Sequence, residues 1–281
     1  MNLDSAKTIR PILEETGIVG KNEIWKPLSG GRSNVVWRIG DKVCKLYKQN
    51  RTSELFPNNP VDERRVLEFL KGTSLAPDLL YFKHLKIGPV LVYKFVDGPV
   101  FKIPSKKIAK SLLKLHSIPT QNIALKKRDS SSKNLLQQCN TFLHGDDPQN
   151  LNLPDDPNIP DIKVQSIIHG DPVAGNVVDN GQNAVLIDWQ CCAIGDPSED
   201  IACALSPAMH HLYGEGNLDL ITRKNFIKSY DNNEIIDRYE VLGHLYHVRI
   251  AAYCFWRSRH GDKDYKEAFL KEKDFLNTVY N

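Results

Sequence analysis

The stretch from Ser166 to Trp189 constrains this chain more than any other. Ser166-Ile167-Ile168 and Ala184-Val185-Leu186-Ile187 are short apolar runs, and around them fall His169-Gly170-Asp171, Asn176 and Asp188-Trp189. Apolar runs of that length, bounded by polar, glycine-bearing segments, are strand-like. Joined by a polar loop, they predict a hairpin-like pair that gathers Asp171, Asn176 and Asp188 at one end. Taken singly, each of these residues is an ordinary turn former. Together, in this order, they supply what phosphoryl transfer needs. Asp171 is the candidate base that orients an attacking hydroxyl. Asn176 and Asp188 offer hard oxygen ligands for magnesium. His169 is expected to orient the loop by hydrogen bonding rather than to move a proton.

The rest of the chain divides into a strand-rich part and a helical part. A helix is predicted over Leu3 to Glu15, with Ile9, Ile12 and Leu13 on one face. Strands are predicted at Trp25 to Leu28, Val35 to Ile39, Val43 to Tyr47, Leu79 to Lys83 and Pro89 to Phe95. Asn58-Asn59-Pro60 precedes a helix over Asp62 to Lys71, stopped by Gly72. Asp97-Gly98-Pro99 punctuates the chain, so the expected division is 1–97 and 98–281. Beyond it, helices are predicted over Ser105 to Ile118, from Asp196-Pro197-Ser198-Glu199 onward, and over Ile221 to Tyr230, Ile235 to Arg259 and Lys263 to Val279. Gly145 to Pro160 is polar and proline-rich, and is expected to be a long, mobile surface loop.

Lys45 lies within a strand, where a charged residue ordinarily faces solvent. A cleft-facing Lys45 would instead pair with phosphate oxygens and need a carboxylate partner. Glu63, at the start of the following helix, is better placed for that than Glu68. The turn Ser29-Gly30-Gly31-Arg32-Ser33-Asn34 can bring backbone N–H groups close to phosphate.

These pieces resemble the aminoglycoside phosphotransferase and choline kinase family. The residues that carry the resemblance are Leu28 to Asn34, Lys45, Glu63, Val92 to Gly98, His169-Gly170-Asp171 with Asn176, Leu186-Ile187-Asp188-Trp189, and Gly195 to Ala202. The resemblance implies an α+β, bilobal, protein-kinase-like fold. It would have an antiparallel N-terminal sheet lobe with one or two helices, and a larger, mainly helical C-terminal lobe. It also implies ATP and Mg2+ as cofactors, with Asp171 as catalytic base and Asn176 and Asp188 as metal ligands. Ser29, Gly30, Gly31, Ser33, Lys45 and Glu63 would hold the phosphates. The backbone of Lys94 and Val96 would meet adenine, and Asp200 would be structural. Pro172 departs from the pattern by removing a backbone donor after the catalytic Asp. Gly170, Ile187-Asp188-Trp189 and the missing A-P-E signature separate the chain from true protein kinases.

A small hydroxylated acceptor is therefore expected, choline- or ethanolamine-like first, with aminoglycosides, thiamine, methylthioribose or sugars as alternatives. Tyr246, Arg249, Tyr253, Trp256 and Arg257 form an aromatic and basic stretch that could shape its site, and Trp189 lies beside the metal ligands. Aromatic faces could hold a quaternary ammonium. Asp146, Asp147, Asp155 and Asp156 could serve a polycation but are more simply a solvated loop. A non-catalytic nucleotide-binding regulator and a metal-dependent hydrolase built on His169, Asp171 and Asp188 are the competing classes.

The composition fits. Hydrophobic residues are 41%, charged residues 25%, and the formal charge is +3, which argues for neither nucleic acid nor anionic membrane as partner. Met1 to Lys7 shows no secretory apolar segment. The six cysteines form no C-x-x-C pair, so reduced, buried thiols and a cytoplasmic monomer or homodimer are expected.

Overall fold

Alternation along the strands decides which side of the N-terminal sheet each residue serves. The computed structural model describes residues 3–28, 33–48, 52–144, 151, 153–216 and 218–280. Helix α1 spans Leu3–Glu15, followed by β1 Trp25–Pro27, β2 Val35–Ile39 and β3 Lys42–Leu46. Then come α2 Pro60–Phe69, β4 Leu79–Leu85 and β5 Gly88–Lys94. The five strands form one antiparallel sheet in the order β1-β2-β3-β5-β4. Cys44, Leu46, Val90 and Val92 face α1 and bury Ile9 and Leu13. Val43, Leu91 and Tyr93 point to the other side, against Val66 and Leu67 of α2. Period-2 geometry puts Lys45 on this inner face, where it is only 2% exposed. It does not face solvent.

Helix α2 starts where the sequence requires it. The Asn59 side chain accepts hydrogen bonds from the Val61 and Asp62 N–H groups, and Pro60 sits at the first helical position. That cap presents Glu63, in the first turn, to the inner face of the sheet.

The C-terminal part contains α3 Lys106–His116, α4 Ser132–Leu143, β6 Ser166–Ile168, β7 Val177–Asp179, β8 Ala184–Leu186 and β9 Ala193–Gly195. Helices α5 Pro197–Ala204, α6 Pro207–Tyr213, α7 Leu220–Tyr230, α8 Asn233–Arg259 and α9 Asp264–Val279 complete it. The expected elements fall within about two residues of these bounds. One buried cluster runs from Val43 and Tyr93 through Leu112 and Trp189 to Tyr246, so a shared core crosses the expected division at residue 97. All six cysteines are buried and free. Among the described residues no helix is long and apolar enough to cross a membrane.

One expectation is corrected. The runs at 166–168 and 184–187 do not pair with each other. β6 pairs with β9, and β8 pairs with β7. Asn180-Gly181 is the reason: it is a strong hairpin signal. It closes β7 onto β8, with Asn180 Oδ1 accepting from the Gln182 and Asn183 N–H groups. Of the expected loop Gly145 to Pro160, the described residues 151 and 153–160 lack regular structure, and a helix not expected from the sequence comes before it. Ser131 caps α4, whose Cys139, Phe142 and Leu143 are buried against α8. After it, residues 151 and 153–165 lack regular structure but are tied down. The Ser132 N–H donates to Ile159 O at 2.9 Å, and Asp161 accepts from the Ser130 N–H and hydroxyl at 3.0 and 2.7 Å.

Candidate active site

The loop that carries Asp171 is built around a buried carboxylate. Asp200, in α5, is fully buried. Its two oxygens accept the His169 and Gly170 N–H groups at 2.7 and 2.8 Å, and His116 Nε2 lies 3.0 Å away. Burial alone would raise this carboxyl. The His116 contact and the His169 N–H outweigh it and hold the group below its ordinary range. Gly170 turns the chain at φ +77°, and a Cβ there would lie 2.3 Å from Cys191 O. Gly170→Ala is expected to cost at least about 1–2 kcal/mol. An unchanged denaturant midpoint in that variant would contradict the loop geometry.

His169 fixes the loop from the other side. Burial lowers its imidazole against the pull of Asp200 and Asp188. The neutral ring donates from Nε2 to Ile187 O at 3.0 Å, while Nδ1 accepts the Asp171 N–H at 3.3 Å. Both ring nitrogens are thus committed to holding the backbone, as the sequence predicts.

Asp171, Asn176 and Asp188 come together. Asn176 Nδ2 donates to Asp171 O at 3.0 Å and to Asp171 Oδ2 at 3.1 Å. That commits the amide nitrogen and leaves its oxygen available. Asp188 adopts a left-handed conformation, φ +64° and ψ +60°. This is strained for a residue other than glycine, though Asp tolerates it better than most. The turn leaves the Asp188 side chain 32% exposed in the cleft and sends Trp189 into the core. Burial and the Asp188 charge push the Asp171 carboxyl well above its usual range, only partly offset by Asn176.

Lys45 reaches both carboxylates. Its Nζ lies 2.7 Å from Glu63 Oε2 and also bonds Asp188 Oδ1. Burial alone would lower the ammonium, but Asp188 and Glu63 hold it above its ordinary range. Tyr47 donates its hydroxyl to Glu63. Glu68 instead pairs with Arg64 at the surface.

Lys45, Asp171, Asn176 and Asp188 line one cleft of about 560 Å³ between the sheet and the helices, together with Ser33, Phe95, Val96 and Gly98, while Glu63 is buried behind Lys45. Val96 borders the cleft directly. Lys94 does not line it: its N–H donates to Asp78 O and its ammonium pairs with Asp78. Ser29, Gly30 and Gly31 lie outside the described residues, as do Asp146 and Asp147. Asp156 accepts from Ser132 and Asn158, so it serves the chain rather than the cleft.

The far end of the cleft differs from expectation. Trp189 is fully buried with its ring 4.5 Å from His169, and it cannot touch an acceptor. Tyr246 is buried on Ser198, and Trp256 packs on Phe142. Arg249 pairs with Glu199 at 3.4 Å. Arg128 pairs with the same Glu199 carboxylate. Of the aromatic and basic stretch, Tyr253 and Arg257 reach the cleft. Phe56, Met209, Tyr213 and Tyr265 line it too. No sequence signal singled these out, since they come from a loop and two helices far apart in the chain. Gln190 and Asn34 were also missed. Asn34 Nδ2 donates to Gln190 Oε1 at 2.6 Å, joining the end of the glycine turn to the Asp188 segment.

The comparisons agree with this geometry. A choline/ethanolamine kinase family protein from Mesorhizobium loti superposes with a TM-score of 0.70 at 14% identity, covering 98% of this chain and 96% of that one. Choline kinase LicA from Streptococcus pneumoniae gives 0.64 at 15% identity, with 98% and 100% covered. The GDP complex of an aminoglycoside 2′-phosphotransferase gives 0.69 at 14% identity, with 96% and 98% covered. No curated protein matches the sequence. The solved structures show a protein-kinase-like fold, antiparallel sheet first and helices after. The model of the phosphotransferase enzyme family matches residues 24–226, from the first strand through α5 and α6 into α7, and the chain belongs to that family.

Proposed function

We propose that the protein transfers the γ-phosphoryl group of ATP to a hydroxyl of a small molecule. The observation that carries this is the convergence of the Lys45–Glu63 pair with Asp171, Asn176 and Asp188 on one cleft. A hydrolase built on His169, Asp171 and Asp188 would leave that lysine pair without a role, and His169 has both nitrogens committed.

Magnesium fits the donor set. The Asn176 amide oxygen and the Asp188 carboxylate are hard oxygen donors, and Asn176 has only its nitrogen engaged with Asp171. These two residues would hold the ion, which when bound neutralises phosphate oxygens. Lys45, positioned by Glu63, pairs with phosphate oxygens. Ser33, which lines the cleft, meets the phosphates. Val36, Val43, Tyr93 and Ile187 line the cleft and suit the faces of a flat base, with the backbone at Lys94 and Val96 beside its edge. The committed Lys94 N–H restricts Lys94 to its carbonyl in that role.

Asp171 aims the acceptor hydroxyl at the phosphorus and takes its proton. Its raised proton affinity suits that task better than an ordinary carboxylate would. A choline- or ethanolamine-like acceptor is the second reading of the acceptor site, favoured by the rings of Phe56, Tyr213, Tyr253 and Tyr265 along the cleft.

A coupled ADP-release screen tests the reaction class. At least one small hydroxyl compound should stimulate ADP formation, and excess EDTA should abolish the stimulation. Nucleotide binding without stimulation by any acceptor would favour a regulator. Turnover without nucleotide would favour a hydrolase.

A further inference from the structure

We infer that the acceptor carries an anionic group as well as its hydroxyl, and that Arg257 is the counter-ion. This rests on the phosphotransfer reading of the same cleft. From Asp171 the cleft continues along α6, α8 and α9. Tyr213 packs its carbonyl against the catalytic loop, 2.7 Å from where a Cβ on Gly175 would sit. Its hydroxyl lies 3.3 Å from the hydroxyl of Tyr265. The Arg257 guanidinium stands 5.1 Å from the Tyr265 ring centre and 6.0 Å from that of Tyr253. Phenol donors therefore lead from Asp171 towards a guanidinium.

The charge balance beside Arg257 disfavours a cation there, although Asp262 already pairs with that guanidinium at 2.6 Å. The arginine already occupies the neighbourhood of the two tyrosine rings that would attract a quaternary ammonium. A second positive charge there meets repulsion at low effective dielectric. Besides Asp171 and Asp188, Glu215 is the carboxylate among the described residues lining the cleft. It sits at the rim, 68% exposed and paired with Lys102.

Arg257 has capacity to spare. Its side chain is 14% exposed, and Nη2 pairs with Asp262 at 2.6 Å. Its Nε is buried without a hydrogen-bond partner. An unmet guanidinium N–H is costly, and an anionic oxygen is its natural partner. The Tyr213 and Tyr265 hydroxyls share one hydrogen bond, and together they present a phenol edge beside the guanidinium. A hydroxy-carboxylate has the two groups this cleft calls for, a hydroxyl for Asp171 and a carboxylate for Arg257.

The test compares wild type, Arg257→Gln and Arg257→Lys in acceptor-dependent ADP release. The probes are glycerate and 4-hydroxybutyrate, ethanolamine and choline, and glycerol as the neutral control. Wild type should turn over a hydroxy-carboxylate. Arg257→Gln should raise its KM roughly 100-fold with little change in kcat, and Arg257→Lys should recover part of the loss. The Gln variant should also lower the KM for the cationic alcohols. Opposite shifts for opposite charges do not arise from misfolding. Turnover of the cationic alcohols alone by wild type, or an equal KM rise for anionic acceptors and glycerol, would overturn the proposal while leaving the phosphotransfer reading intact. No ADP release with any probe would overturn both.

Discussion

Asp171→Ala is expected to lower acceptor-dependent ADP formation by roughly 10²–10⁴-fold while leaving the affinity for ADP unchanged. The carboxylate touches neither Lys45 nor Glu63, so the phosphate-anchoring pair survives its loss. Asn176 keeps its second partner, the backbone carbonyl of residue 171. Folding should not suffer, because burial and the neighbouring Asp188 charge make the ionised carboxylate costly where it sits. Steady-state kinetics together with calorimetric ADP titration separate the two effects. A rate loss below about tenfold would place the base elsewhere.

Asp200→Ala is expected to lower stability by about 3–5 kcal/mol, a fall in Tm on the order of 10 °C for a chain of this size. Removing the carboxylate strands the buried His169 and Gly170 N–H groups and leaves His116 with Tyr230 alone. Asn is little better, because its amide nitrogen would face one of the two donors. The pH dependence follows from the sign of the shift. The carboxyl is held below its ordinary range in the folded state, so the unfolded chain binds the proton more readily. The stabilisation is complete above the ordinary Asp range and is lost as pH falls through the lower folded-state value. The wild type should therefore lose stability relative to Asp200→Ala on acidification. A constant Tm difference between them from neutral pH down to about pH 3 would contradict this role.

The polar cluster of the cleft was legible in the sequence because the chemistry proposed for it restricts it to few residue types. Lys45 needed a buried carboxylate, and Glu63 was one of two acids in the first turn of a well-capped helix. The order of Asp171, Asn176 and Asp188 carried the rest. Strand pairing was less legible. β6 finds β9 across an intervening hairpin, and apolar runs alone cannot choose between partners. Asn180-Gly181 held the missing information. Helix α4 was hidden by its amides and serines, although Ser131 was a usable cap. Trp189 illustrates the limit of proximity in sequence. The left-handed turn at Asp188 separates neighbours, one to the cleft and one to the core. The acceptor end was least legible, since Phe56, Tyr213, Tyr253 and Tyr265 meet only through the packing of α6, α8 and α9.

The most direct test of the account is product analysis with the paired proteins, wild type and Asp171→Asn. Each is incubated with Mg2+, γ-labelled ATP and an acceptor that stimulates ADP release. The account predicts that the label moves to the acceptor oxygen in the wild type. It also predicts that transfer is lost in the variant, while ADP binds both proteins alike. Label released only as inorganic phosphate, or equal transfer by the two proteins, would contradict it.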